Sequence, residues 1–114
     1  MSDKGSQTVP SLEGWDIGHE AETDWMPWGE GGKARAKILG SADGYIVALV
    51  EAEAGYRGAP HEHSFAEFLY VLDGTLRNQG IAMTVGDGYA AAAGSVHDDF
   101  EAEAPSRYLS IFKL

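Results

Sequence analysis

His61 and His63 stand one residue apart in the stretch GYRGAPHEHSFAEFLYVLDG (55–74), and Glu67 follows four residues later. In an extended strand the side chains at i and i+2 share a face, with Cα atoms roughly 6.5 Å apart. From that spacing two imidazoles can lean toward one point and share a first-row metal ion, which imidazole nitrogen binds at about 2.0–2.1 Å. Glu67 has the parity of the two histidines, so on a continuous strand its carboxylate offers a third, anionic ligand. The same residues also fit a blander description, a half-buried strand whose polar groups face water. Glu67 has two roles open to it, as a ligand or as a group that orients a ligating histidine.

A fourth ligand has to come from His19 or His97, the other histidines of the chain. His97 follows Gly94-Ser95-Val96 at the start of a later predicted strand, and a closed antiparallel barrel brings that strand beside the first stretch. His19 lies between Gly18 and Glu20 in a tryptophan-rich segment and reads as a surface histidine. The chain has no cysteine, which excludes thiolate ligands, disulfides and cysteine nucleophiles, so a metal must be held by nitrogen and oxygen.

The elements that must position these residues are short. ARAKILG, YIVALVEAE, AEFLYVLD, IAMTV, GYAAAA, VHDDFEAE and RYLSIFKL are rich in β-branched and aromatic residues and are separated by turn signals such as Ser41–Gly44, Asp73–Gly74 and Gly86–Gly88. Short strands at even spacing, with no sustained helical period, predict an all-β sandwich or small antiparallel barrel over residues 33–114. Residues 1–32 are expected to form an N-terminal arm. Its polar first part, 1–14, is loose, and its three tryptophans then pack on the barrel or a partner before a short edge strand.

A length of 114 residues allows one domain, with apolar and charged fractions of 44% and 23% typical of globular proteins. The net charge of −10 repels phosphate backbones and the eight Lys and Arg residues form no cluster, so no nucleic-acid partner is expected. No apolar run approaches the roughly 20 residues of a membrane span, and the N-terminus lacks a signal-peptide pattern. The sequence therefore predicts a soluble, cytoplasmic protein with no membrane partner.

The spacing of the histidine stretch also resembles a known motif. Gly55, five residues, His61, one residue, His63, three residues, Glu67, six residues, Gly74 reproduces the first cupin motif position for position. Gly86, Gly94 and His97 fall in register with the second motif, with Ala92 in place of its proline and Glu101 in place of its asparagine. Over roughly residues 35–113 the chain thus resembles a single-domain cupin, a jelly-roll barrel. The short gap between Gly74 and Gly86 is similar to the subgroup that includes the cupin domain of ChrR-type anti-sigma factors and some aryl-ketone-cleaving dioxygenases.

The resemblance implies that His61, His63, Glu67 and His97 ligate one divalent ion, Fe, Mn, Ni, Co or Zn, among which a His and carboxylate set does not choose. It implies a metal-dependent dioxygenase acting on a diketone or hydroxyaryl ketone, with Glu67 as a candidate catalytic group. Two alternatives stand beside it: an isomerase of a sugar or keto acid, and a non-catalytic module sensing a metal or small ligand. Arg57, Phe65, Tyr45, Met83, Phe100 and Asp98 are weaker candidates for the cavity mouth. Phe68, Tyr70 and Leu72 have the parity opposite to Glu67 and form an outward apolar face, from which a homodimer is expected.

Overall fold

A computed structural model describes residues 13–113 of the chain. Its strands are β1 (Met26–Pro27), β2 (Ala34–Ala42), β3 (Tyr45–Ala52), β4 (His61–Glu62), β5 (Glu67–Asp73), β6 (Thr75–Asn78), β7 (Ile81–Thr84), β8 (Gly88–Ala91), β9 (Val96–His97), β10 (Phe100–Ala102) and β11 (Ser106–Lys113). They form a six-stranded sheet in the order β1-β2-β3-β11-β5-β8, a three-stranded sheet β10-β6-β7 and a pair β4-β9, all antiparallel. A three-residue 3-10 turn at Glu20–Glu22 is the helical content of the described residues, and none of their helices is long and apolar enough to cross a membrane. The fold is all-β, as the residue pattern predicts.

Two details differ from the pattern. Thr75–Asn78, which carries one apolar residue among polar ones, is a strand because it pairs with both β10 and β7, and its Leu76 is wholly buried. The run 96–103 divides into β9 and β10, since Gln79 accepts hydrogen bonds from the backbone N–H groups of Asp98 and Asp99 and bends the chain between them. The loose stretch expected at 1–14 lies, apart from its last two residues, outside the described residues.

Alternation in the long strands sets the core. Ile46, Ala48, Val50 and Ala52 of β3, Leu69 and Val71 of β5, and Tyr108 of β11 point inward and meet Leu76, Met83, Phe100 and Ala102 from the smaller sheet. The chain turns from β5 to β6 at Gly74, which has φ +86°. A Cβ there would lie 2.3 Å from the Pro105 carbonyl oxygen, so glycine is required on grounds of both backbone conformation and space.

The outer face of the large sheet is covered on one side by the arm. Lys37, Leu49 and Leu109 form a cross-strand row on that face, and Lys37 and Leu49 are buried although they point away from the core. Glu20 lies over this row: its carboxylate and its carbonyl accept hydrogen bonds from the Lys37 ammonium at 2.8 and 2.7 Å, and its other oxygen takes Arg107 at 3.2 Å. Trp25 stacks under Arg35 and Lys37, the Asp16 carboxylate accepts the Ser41 N–H, and Gly18 sits so close to β2 that a Cβ would strike the Leu39 carbonyl. Beyond the arm, Phe68, Tyr70 and Leu72 of β5 remain 44, 48 and 38% exposed.

The hydrogen bond from Lys37, with the charges of Lys37 and Arg107, holds the Glu20 carboxyl below its ordinary range. A lowered pKa stabilises the attached arm above the carboxyl's ordinary range, and the contribution is lost as pH falls through the lowered value. Trp25 fluorescence should therefore report loosening of the arm at acidic pH, before the core unfolds. Glu20→Gln should move the arm toward its low-pH state at neutral pH, read as faster proteolysis between residues 13 and 28.

Candidate metal centre

The pair β4-β9 sets His61 directly opposite His97. Two-residue strands are weak ladders, and two further backbone bonds brace this one: His63 N–H donates to the Ser95 carbonyl at 2.8 Å and Gly94 N–H to the His63 carbonyl at 2.6 Å. The turn leading into β9 is closed by Ser95, whose N–H and hydroxyl both donate to the Ala92 carbonyl, at the position where the cupin motif has proline. Glu67 enters from the first residue of β5, on the buried face it shares with Leu69 and Val71. Glu101, where the motif has asparagine, pairs with Arg57 at 3.3 Å and takes that arginine away from the site.

These elements bring together His61, His63, Glu67 and His97, each with one potential ligand atom within 4.8 Å of the others. Opposed ligands held about 2.1 Å from one ion are roughly 4.2 Å apart, so small side-chain rotations close the set around an ion. Glu67 Oε1 lies 3.2 Å from His63 Nδ1 and 3.8 Å from His61 Nε2, and Oε2 lies 3.8 Å from His97 Nδ1. His61 Nδ1–H donates to the Ala59 carbonyl at 2.9 Å, which fixes the tautomer with Nε2 free to ligate.

His97 supplies the test of fit. Both its ring nitrogens are buried and have no hydrogen-bond partner among the described residues, an arrangement that a coordinated cation would relieve. Burial pushes its imidazole below the ordinary value and the Glu67 carboxylate opposes that shift only in part, so the ring is neutral near pH 7, the state that ligates. With one carboxylate among the three imidazoles, the donor set suits a divalent first-row ion. His19 lies apart from this group, exposed in the arm at the head of the 3-10 turn.

Tyr89, which residue patterning does not single out, completes the centre. Its hydroxyl donates to Glu67 Oε2 at 2.5 Å. Burial, reinforced by that bond, pushes the phenol well above its ordinary range, so it remains a donor at any physiological pH. The register explains its place: Tyr89 pairs with Leu69 across β8 and β5 and so shares the inward face with Glu67. The interaction leaves Oε1 turned to His61 and His63 and orients the carboxylate from behind.

The quartet lies on the wall of a cavity of about 420 Å³. Trp28, Tyr56, Phe65, Phe100, Tyr108 and Phe112 give it an aromatic lining, with Ser64, Ser110, Glu62 and Lys113 as polar additions. Of the six candidates for its mouth, Phe65 and Phe100 line it. Met83 lies in the core, Asp98 is hydrogen-bonded to Gln79, Tyr45 lies under the Lys113 ammonium, and Arg57 is paired with Glu101. Trp28 reaches the cavity from the arm and meets Phe112 edge-on at 5.8 Å.

A family model described as "ChrR Cupin-like domain" matches residues 16–112, a span that begins within the arm. No curated protein matches the chain. A provisionally assigned acetylacetone dioxygenase from Methylibium petroleiphilum PM1 is 20% identical and superposes with a TM-score of 0.79, covering 92% of this chain and 81% of that one. An acetylacetone dioxygenase from Acinetobacter johnsonii is 15% identical with a TM-score of 0.74, covering 94% and 78%. A chain of the Rhodobacter sphaeroides complex of SigE with the anti-sigma ChrR is 25% identical with a TM-score of 0.70. That match covers 82% of this chain and spans about half of the other, 51%.

Purified without added metal, the protein should carry a divalent ion by elemental analysis, and His61→Ala and His97→Ala should lose it. Tyr89→Phe keeps the ring and removes the bond to Glu67. It should weaken metal affinity about 10- to 100-fold in chelator competition while the fold, followed by circular dichroism, is retained.

Proposed function

The chain belongs to the ChrR cupin-like family, and on that premise we propose that it is a metal-dependent enzyme of dioxygenase type, acting on a small oxygen-rich molecule such as a diketone or hydroxyaryl ketone. In this reading His61, His63, Glu67 and His97 hold one divalent ion. The observation that carries it is the union of that quartet with a cavity lined largely by aromatic side chains. The acetylacetone dioxygenases among the structural neighbours give the reaction type its direction.

Isomerising a sugar or keto acid needs a side chain free to carry a proton between carbons. Among the described residues, the carboxylates lining the cavity are Glu67 and Glu62. Glu67 is tied to Tyr89 and the histidines, and Glu62 is exposed on the two-residue strand β4. Oxidative cleavage makes no such demand. An ion such as Fe(II), when bound, supplies Lewis acidity and electron exchange with dioxygen. The protein's own task is then to hold and dry the substrate: the rings exclude water, and Tyr56, Tyr108 and Ser110 add hydroxyls for its oxygens.

The second reading, a module that senses a metal or small ligand, draws on the likeness to the ChrR complex. Oxygen-electrode assays of the Fe(II)-loaded protein with a panel of diketones and hydroxyaryl ketones separate the two. We expect substrate-dependent oxygen uptake that falls at least about 100-fold in His97→Ala, the scale of losing an essential catalytic group. No uptake across the panel would remove the dioxygenase reading.

The same proposal includes a homodimer. Phe68, Tyr70 and Leu72 form a row of large exposed apolar groups on the outer face of β5. Analytical ultracentrifugation at micromolar concentration should find a dimer, and Tyr70→Glu should shift it to monomer. A native protein that sediments only as monomer removes this part.

A further inference from the structure

Among the described residues are seven lysines and arginines, and five are ion-paired: Arg35 and Arg107 with Glu51, Lys37 with Glu20, Arg57 with Glu101, and Arg77 with Glu103. The two others are Lys33, which lies in a separate polar groove beside Arg35 and Glu53, and Lys113, which lines the aromatic cavity. Among the described residues no carboxylate pairs with Lys113. Its stem packs on Gly44, where a Cβ would lie 2.9 Å from its Cε, and its ammonium stands 4.5 Å from the Phe65 ring and 5.8 Å from that of Tyr45.

An ammonium resting on ring faces is attracted to them while its outward hydrogens stay free to bind an anion. In a chain of net charge −10 the placement on the cavity wall of a cation with no acidic partner among the described residues is selective: the surrounding acidity would otherwise repel an anionic ligand. Glu62, the other charged group lining the cavity outside the quartet, is exposed, so water screens its charge. One ammonium balances one negative charge, which fits a carboxylate and not a phosphate ester carrying nearly two.

We infer that Lys113 receives a carboxylate of the molecule whose oxygens face His61, His63, Glu67 and His97, so that the cavity takes a flat, unsaturated monocarboxylate in preference to a neutral ketone. This rests on the reading of the cavity as a substrate site. The rings supply the flat apolar slot, the quartet receives one end of the molecule, and Lys113 fixes the other end and hence which oxygens reach the centre. Lys113 is in this sense a specificity determinant, since it acts on the part of the molecule remote from the chemistry.

Trp28 lines the cavity and makes binding visible as a change in tryptophan fluorescence. The metal-loaded protein is titrated with 4-acetylbenzoate and, in parallel, with the neutral 4-hydroxyacetophenone. We expect the carboxylate to bind about tenfold more tightly, a preference that shrinks as salt is raised. The ratio of the two affinities should collapse toward one in Lys113→Met and return in Lys113→Arg, with metal content equal in all three proteins. Equal affinities in the native protein, or a preference that survives in Lys113→Met, overturn the inference about Lys113 and leave the cavity reading standing. Failure of both probes to bind the metal-loaded native protein overturns the two together.

Discussion

Side chains on a strand alternate between its two faces, and in β5 that constraint determines the core, the centre and the outer surface at once. Glu67, Leu69 and Val71 face inward and are buried, while Phe68, Tyr70 and Leu72 face outward and are not. A slip of one residue in the pairing of β5 with β11 would exchange the two sets, putting Phe68 and Tyr70 in the core and Glu67 in solvent. The register that buries Val71 is thus the register that delivers the carboxylate to the histidines. Packing energy and site geometry are bound to the same choice, so the apolar core holds the polar centre in place without any contact designed for that purpose alone.

Parity is also why much of the site was legible in the sequence. His61, His63 and Glu67 lie close together along the chain, and their common face follows from the period of a strand. His97 is a long-range partner, identified through the spacing of the second motif, and it lies opposite His61 because two very short strands pair there. Tyr89 was not legible. Its run GYAAAA reads as a strand, but which of its residues faces Glu67 depends on the register between β8 and β5, and nothing local fixes that. The cavity wall was hidden for the same reason, since Trp28, Tyr56 and the β11 pair Tyr108 and Phe112 come from three separate parts of the chain. Arg57 shows the converse: beside the motif it looks available, and only the fold reveals Glu101 as its partner.

The centre and the arm use charge in opposite ways. At the centre, three imidazoles and a carboxylate crowd together with two buried nitrogens of His97 unmatched by any described donor or acceptor, an arrangement that a bound cation would relieve. On the outer face Lys37 is buried but fully answered, with Glu20 supplying both a carboxylate and a carbonyl. The first is a polar group without a partner among the described residues. The second is a polar group consumed in holding the chain to itself, and through Trp28 that hold extends to the cavity wall.

The arm has a second effect, which concerns colloidal behaviour. Strand β2 would be the bare edge of the large sheet, a row of backbone groups on which a strand from another molecule could add. Instead Met26–Pro27 occupies one end of that row, and Pro27 has no N–H with which to extend a ladder. At the other end the Asp16 carboxylate takes the Ser41 N–H, and the backbone at Gly18 shields the Leu39 carbonyl. A segment that contributes one ring to the cavity therefore also covers this edge of the sheet against strand addition. Its detachment would show first as turbidity in a concentrated solution, while the core beneath was still folded.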